Sequence, residues 1–91
     1  MTSKERANWR SKANKLDATM QIGKQGVTPE TVTALDEMLE ARELVKLTVL
    51  PTCNSSPAEA AEMLSGRTRS KVVQVIGKKI VLYRESKTKK G

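Results

Sequence analysis

Two helix-start signals of the same kind constrain how this chain can fold. Thr28-Pro29-Glu30 and Ser56-Pro57-Ala58-Glu59 each place a good N-cap residue before a proline at the first helical position. Proline fits there because the N–H that it lacks would have no partner inside the helix. The second signal adds a glutamate at the third helical position, as in a capping box. We therefore predict a helix from 29 to about 42, and a shorter one from 57 that Gly66 ends as a C′ glycine.

Apolar segments of strand length surround these two helices. Residues 44–50, LVKLTVL, form the clearest β segment, and a brief strand is expected over 18–22. Residues 71–76 (KVVQVI) and 80–84 (IVLYR) are two further β runs. Gly77-Lys78-Lys79 lies between them and predicts a tight hairpin.

The start of the chain predicts one more helix. Thr2-Ser3-Lys4-Glu5 has the spacing of a capping box, so a helix is expected from about 3 to 15, with Trp9 anchoring it against the sheet. The order α-β-α-β-α-β-β favours a single compact α/β domain on a four-stranded mixed sheet. Strand–helix–strand units form parallel pairs, and a hairpin forms an antiparallel pair. We expect the domain to span 1–84 and a basic C-terminal tail to follow over 85–91.

Charge is unevenly distributed along the chain, whose formal net charge is +7. Residues 1–27 contain six Lys and Arg against two acids, and residues 67–91 contain nine against one. Between them, residues 28–66 contain two Lys and Arg against seven acids. If the basic segments meet in space, one side of the molecule is cationic and suits a polyanion such as nucleic acid. The alternative is a mixed, solvated surface with a flexible basic tail.

The residue types that are scarce narrow the function further. The sequence contains no histidine, the commonest general base, and its aromatic residues are Trp9 and Tyr83 alone. This argues against an enzyme and against RNA readers that stack bases on exposed aromatic rings. There is no metal-ligand spacing, cofactor motif or small-molecule site, and the lone Cys53 has no nucleophile motif around it. With no visible signal peptide or membrane-length apolar run, we expect a cytoplasmic monomer without cofactor, metal or membrane association.

Gly23-Lys24-Gln25-Gly26 lies between the predicted first strand and a capped helix, and it is a candidate phosphate-binding loop. Glycines permit positive φ and a close approach of the backbone to a ligand, and a following helix N-terminus attracts anions. Lys24 adds a point charge, and Gln25 can donate to a phosphate or a 2′-hydroxyl. The KH family clamps nucleic-acid backbone with a comparable GXXG loop. A simple turn between strand and helix is the alternative, and the commoner use of such a glycine pair.

Three segments together resemble a known family. IGKQGVTPE, LEARELVKLTVL and TRSKVVQVIGKKIVLYRESK are similar to the CRM domain, named for chloroplast RNA splicing and ribosome maturation, and above all to its stand-alone bacterial, YhbY-like form. The resemblance covers the chain from about residue 3 to residue 87. It implies an RNA-binding α/β fold related to the C-terminal domain of bacterial translation initiation factor three. Bacterial members of the family are associated with precursors of the large ribosomal subunit, and plant relatives help to splice group II introns.

The candidate RNA contacts follow from the resemblance and from the charge pattern. The GxxG loop of the family corresponds by resemblance to Gly23, Lys24, Gln25 and Gly26. Its basic stretches correspond to segments that contain Arg10, Arg69, Lys71 and Arg84. The charge pattern adds Lys12, Lys78 and Lys79. Arg42 and Lys46, by contrast, are explained by pairing with the acidic second helix.

The expected function is non-catalytic binding of structured ribosomal RNA, as an assembly factor in precursors of the large ribosomal subunit. Two other functions remain open: a permanent ribosomal protein, and an Alba-like protein that organises DNA or RNA. Co-sedimentation with mature subunits after a high-salt wash would distinguish the first of these. Similar affinity for DNA and RNA, together with dimers, would distinguish the second. An enzyme would have to use the acids of the second helix, which have the pattern of a solvated face.

Overall fold

The structure, a computed structural model, describes residues 2–18 and 20–85. It has the predicted order of elements: α1 (Ser3–Ala13), β1 (Met20–Ile22), α2 (Pro29–Arg42), β2 (Leu44–Val49), α3 (Pro57–Thr68), β3 (Lys71–Ile76) and β4 (Lys79–Tyr83). The bounds of α2 and β3 are the predicted ones, whereas α1 and β1 are each shorter than expected. The predicted tail lies outside the described residues from 86 onward.

The four strands form one mixed sheet in the order β1-β2-β4-β3. β1 pairs parallel to β2, and β4 pairs antiparallel to both β2 and β3. The expected parallel pair is therefore present in the first strand–helix–strand unit, but in the second unit β4 lies between the two strands. The reason is burial: Ile80, Val81 and Leu82 of β4 are all buried. β4 must be covered on both faces by other parts of the protein. β3 contains the polar residues Lys71 and Gln74 and can therefore lie as the outermost strand of the sheet.

Helices α2 and α3 cover one face of the sheet, and α1 covers part of the other. The larger core lies under α2 and α3. Its large, fully buried side chains are Ile22, Leu35, Leu39, Val45, Leu47, Leu64, Ile80 and Leu82. The domain therefore has three layers, of which the α1 layer is the smallest.

α1 docks on its face of the sheet through an aromatic residue. The ring of Trp9 stacks on that of Tyr83 in β4, with 4.1 Å between the centroids and an interplanar angle of 24°. Both rings pack against a smaller core, which consists of Ala13, Leu44, Val73 and Val81. A bulge in the pairing of β3 with β4 gives Val73 its place in this core. The predicted anchoring of Trp9 against the sheet is confirmed.

The three helices begin at the expected caps but do not all end as expected. The side chains of Thr2, Thr28 and Ser56 each accept a hydrogen bond from the backbone N–H three residues further on. The predicted end of α3 at Gly66 is wrong, because the helix continues to Thr68 and Arg69 takes the left-handed conformation with φ +57. Thr68 is buried, and its hydroxyl donates to the carbonyl of Leu64 at 2.7 Å. Packing against the sheet thus carries the helix past the glycine.

Gly66→Ala should raise the free energy of unfolding by about 0.5–1 kcal/mol, because glycine is a poor residue inside a helix. A Cβ at this position meets no atom within 4 Å. Urea unfolding followed by circular dichroism measures the change. Gly77→Ala is the control: Gly77 has φ +55, so alanine there should destabilise. A loss of stability in Gly66→Ala would contradict the position of this glycine inside α3.

Candidate nucleic-acid interface

One edge of the sheet collects the loops that the sequence singled out. β1 and β2 are parallel and β4 runs back along β2, so the ends of β1 and β2 lie beside the start of β4. Two backbone hydrogen bonds join these segments. The amide of Leu50 donates to the carbonyl of Ile22 at 2.8 Å, and the amide of Val49 donates to the carbonyl of Lys78 at 2.6 Å. We call this region the loop edge; it consists of residues 23–26, 49–50 and 77–79.

Residues 23–26 form a compact turn at this edge. The amide of Gly26 donates to the carbonyl of Gly23 at 2.9 Å, and Gly26 has φ +67, which favours glycine. Lys24 and Gln25 are exposed at the tip. The turn leads into Thr28, the N-cap of α2. It therefore presents one ammonium group and one amide to solvent near the positive end of a helix dipole.

The hairpin tip brings two further lysines to the loop edge. Lys78 and Lys79 are exposed, and Gly77, with φ +55, begins the turn that precedes β4. The bond from the Val49 amide holds this turn at the end of β2, next to β1 and its loop. The structure therefore brings Lys24, Lys78 and Lys79 to the same edge of the sheet.

Lys79 also belongs to a row of residues that crosses all four strands. It pairs with Ile76 on β3 and with Thr48 on β2, and Thr48 pairs with Gln21 on β1. Because side chains alternate along a strand, Lys79 shares a face with Tyr83, against which α1 packs. Gln21, Ile76 and Lys79 are nevertheless exposed. α1 therefore covers the far part of this face and leaves the part next to the loop edge open to solvent.

α1 places two of the predicted contacts on the side of the sheet away from the acidic helices. Arg10 and Lys12 are both exposed. The Nζ atom of Lys12 lies 4.6 Å from the centroid of the Trp9 ring, a cation–π distance. The sheet thus separates these cations from the carboxylates of α2.

Two predicted contacts lie at the opposite edge of the sheet. Lys71 pairs with Tyr83, which in turn pairs with Leu44 at the start of β2. β2 spans Leu44–Val49, so at ~3.3 Å per residue this edge is roughly 16 Å from the loop edge. Arg69 lies two residues before β3 and is exposed near this edge. The predicted basic residues therefore do not converge on one site.

Arg84 is placed differently from the other predicted contacts. Its guanidinium pairs with Asp36 and, at 3.1 Å, with Glu40, both on α2. It also donates to the backbone carbonyls of Thr68 at 2.9 Å and Asp36 at 3.0 Å. Only 17% of its side chain is exposed. The structure thus gives Arg84 a role that the sequence analysis did not foresee: it joins the end of β4 to α2 and to the end of α3.

Lys46 also belongs to the basic surface, which the sequence did not indicate. Lys46 pairs with Val81, so its side chain lies on the α1 side of the sheet and not on the side of α2. Its Nζ atom donates to the carbonyl of Leu16 at 3.3 Å. Alternation along LVKLTVL shows that Lys46 and Thr48 share a face. Which helix covers that face is a tertiary property, and no local pattern reveals it.

The described residues contain few other features that could serve chemistry. Within 2–18 and 20–85, no group of His, Cys, Asp and Glu is arranged to hold a metal ion. In the same part of the chain, no helix has the length and apolar character that crossing a membrane requires. Cys53 is half-buried and packs against the larger core.

Fold and interface together define a small, basic α/β module with a glycine turn at the edge of its sheet. The CRS1 / YhbY (CRM) domain matches residues 1–84, and the chain belongs to this family. It is 44% identical over 90 residues to the Bacillus subtilis (strain 168) protein named "Probable RNA-binding protein YqeI", covering 99% of this chain and 94% of that relative.

A solved structure of a relative has the same fold. The solution structure of the hypothetical protein SAV1595 from Staphylococcus aureus, for which RNA binding has been suggested, matches with a TM-score of 0.82 and 46% identity. The match covers 96% of this chain and 91% of that one. The α/β fold and the family expected from the sequence are thereby confirmed.

Arg84→Gln should lower the free energy of unfolding by roughly 2 kcal/mol, because hydrogen bonds to charged groups contribute about 1.5–3 kcal/mol. The change removes the guanidinium from two carboxylates and two backbone carbonyls. Urea unfolding of Arg84→Gln and of Arg67→Gln, an exposed cation of α3, measures the effect at equal change of charge. Wild-type stability in Arg84→Gln would contradict a stabilising role of these ion pairs and hydrogen bonds.

Proposed function

We propose that this protein binds ribosomal RNA in precursors of the large ribosomal subunit, as an assembly factor without catalytic activity. The observation that carries the proposal is the loop edge, where the Gly23–Gly26 turn meets the lysines of the hairpin tip. Membership of the CRM family supports an RNA ligand, and so does the name of the relative YqeI. The absence of histidine from the sequence favours binding over acid–base chemistry.

The loop edge has the groups that an RNA backbone requires. Lys24 provides an ammonium group for a phosphate, and Gln25 can donate to a phosphate or to the 2′-hydroxyl that distinguishes RNA from DNA. Lys78 and Lys79 are placed to neutralise neighbouring phosphates. The two aromatic rings of the chain stack on each other, so recognition depends on charge and shape rather than on base stacking.

Cations on the α1 side of the sheet extend this surface. These cations are Arg10, Lys12 and Lys71, and all three are exposed. Arg69 is less suited to an RNA contact, because it lines a cleft that also contains Asp36, Glu40 and Glu85. Arg84, which lines the same cleft, is engaged by the ion pairs described above.

The double variant Lys24→Ala/Gln25→Ala should weaken binding to ribosomal RNA fragments on the order of tenfold, because one phosphate contact and one polar contact are lost. Both residues are exposed, so circular dichroism should report an unchanged fold. The slope of log K against log salt should fall by about 0.7–0.9. Arg67→Ala removes the same charge from α3 and should change neither quantity. Normal RNA binding by the double variant would mean that residues 23–26 are only a turn.

The RNA partner is tested by sedimentation of ribosomal particles. We expect the protein to co-sediment with precursors of the large subunit, and to be absent from mature subunits after a high-salt wash. Persistence on mature subunits after that wash would indicate a permanent ribosomal protein. Equal affinity for duplex DNA and ribosomal RNA, together with dimers, would indicate a protein that organises nucleic acid.

A further inference from the structure

A cationic groove, separate from the loop edge, lies on the α1 side of the sheet. This groove has a volume of about 740 Å³ and is bounded by the ends of α1 and α2 and by the first half of β2. Its charged lining residues are Lys12, Lys15, Asp17, Arg42 and Lys46. Four cations and one acid give these residues a net charge of +3. We call this recess the α1 groove.

Contacts within the chain position two of its ammonium groups. The Nζ atom of Lys46 donates to the carbonyl of Leu16 at 3.3 Å. That of Lys12 lies 4.6 Å from the centroid of the Trp9 ring. The face of an aromatic ring orients a cation without cancelling its charge. The Lys12 ammonium is therefore positioned in advance to meet an anion.

Helix capping alone does not account for these cations. Lys12 lies in the last turn of α1 and Arg42 in the last turn of α2, where a cation complements the negative end of the dipole. Each helix end carries a charge of only roughly −0.5. Lys46 lies on β2 and belongs to neither helix end. Even without Lys46, the three cations Lys12, Lys15 and Arg42 and the one acid Asp17 carry a net charge of +2. This exceeds the charge of roughly −1 at the two helix ends together, so positive charge remains for a ligand.

Lys46 also connects the α1 groove with the loop edge. A second cleft, of about 220 Å³, is lined by Asn14, Lys46, Gln74, Ile76, Lys79 and Val81. Lys46 pairs with Val81 and Thr48 pairs with Lys79, so the two lysines lie on neighbouring strands and on the same face, two residues apart along the strands. A series of cations therefore leads from Arg42 through Lys46 and Lys79 to the hairpin tip.

We propose that the α1 groove binds phosphates of the same RNA whose backbone the loop edge holds, so that one strand crosses the α1 side of the sheet. This inference rests on the proposed function. A continuous series of cations suits one extended polyanion better than two separate ligands. The uncharged polar side chains along the path, Asn14, Thr48 and Gln74, can hydrogen-bond to sugar hydroxyls and base edges. An acidic peptide has no sugar hydroxyls or base edges to which these side chains could hydrogen-bond.

The test replaces the cations of the groove one at a time. Lys46→Gln removes the charge and keeps an NH₂ donor on a side chain that is one atom shorter. Arg42→Gln changes an exposed residue, so it should melt at the wild-type temperature, and Lys46→Gln should melt close to it. Each should weaken binding to a single-stranded ribosomal RNA fragment about fivefold to tenfold, and reduce the slope of log K against log salt by about 0.7. Arg67→Gln is the one-charge control and should bind as the wild type does. If Lys46→Gln melts at a lower temperature than the wild type, the RNA binding of Arg42→Gln alone tests the inference.

The outcomes separate this inference from the proposed function. Normal RNA binding by both groove variants, while Lys24→Ala/Gln25→Ala binds weakly, would overturn the groove and leave the loop edge standing. Equal binding of wild type to duplex DNA and RNA would count against the proposed function itself. A poly-glutamate peptide that competes as well as RNA of equal charge would overturn the inference, because the groove would then be a general polyanion surface. Weak competition by the peptide, with weak RNA binding by both variants, would support it.

Discussion

The structure depends on the burial of β4 from both sides. Ile80 and Leu82 lie in the core under α2 and α3, whereas Val81 and Tyr83 pack on the side of α1. Burying an apolar side chain of this size contributes about 1.5–3 kcal/mol, so a strand with three such residues in a row is stable only at the centre of the sheet. β4 therefore takes β2 and β3 as its neighbours. β1, with three residues, is left to extend the sheet beyond β2.

The same constraint assembles the loop edge. Because β4 is antiparallel to both of its neighbours, its start lies beside the ends of β2 and β3, and the parallel pairing of β1 adds the glycine turn. Strand topology and backbone hydrogen bonds thus bring the lysines together, and packing leaves their side chains exposed. At the opposite edge, Arg84 has the same charge but is engaged by Asp36 and Glu40. Whether a cation is structural or available to a ligand is decided here by the acids near it.

Local patterns predicted the features that local interactions determine. The caps at Thr28 and Ser56 and the bounds of α2 follow from a few consecutive residues, and the structure has them as expected. The end of α3 could not be predicted in this way, because the burial of Thr68 against the sheet outweighs the signal from Gly66. The face of Lys46 could be read from strand alternation, but its surroundings depend on where α1 docks. For the candidate site, the sequence supplied the turn and the lysines, while their grouping at one edge required the strand order.

α1 is joined to the rest of the domain by a small contact, and this affects how the molecule opens. Ala13 is the one buried residue of this helix, and Trp9 supplies the aromatic stack. An element with so few buried contacts opens at a lower free energy than the central strands, so its amides should exchange with solvent first. Such local unfolding would expose Leu44 and Val81 without melting the sheet. We therefore expect the first helix to open as a separate cooperative unit, whose protection from exchange reports on anything that holds it against β2.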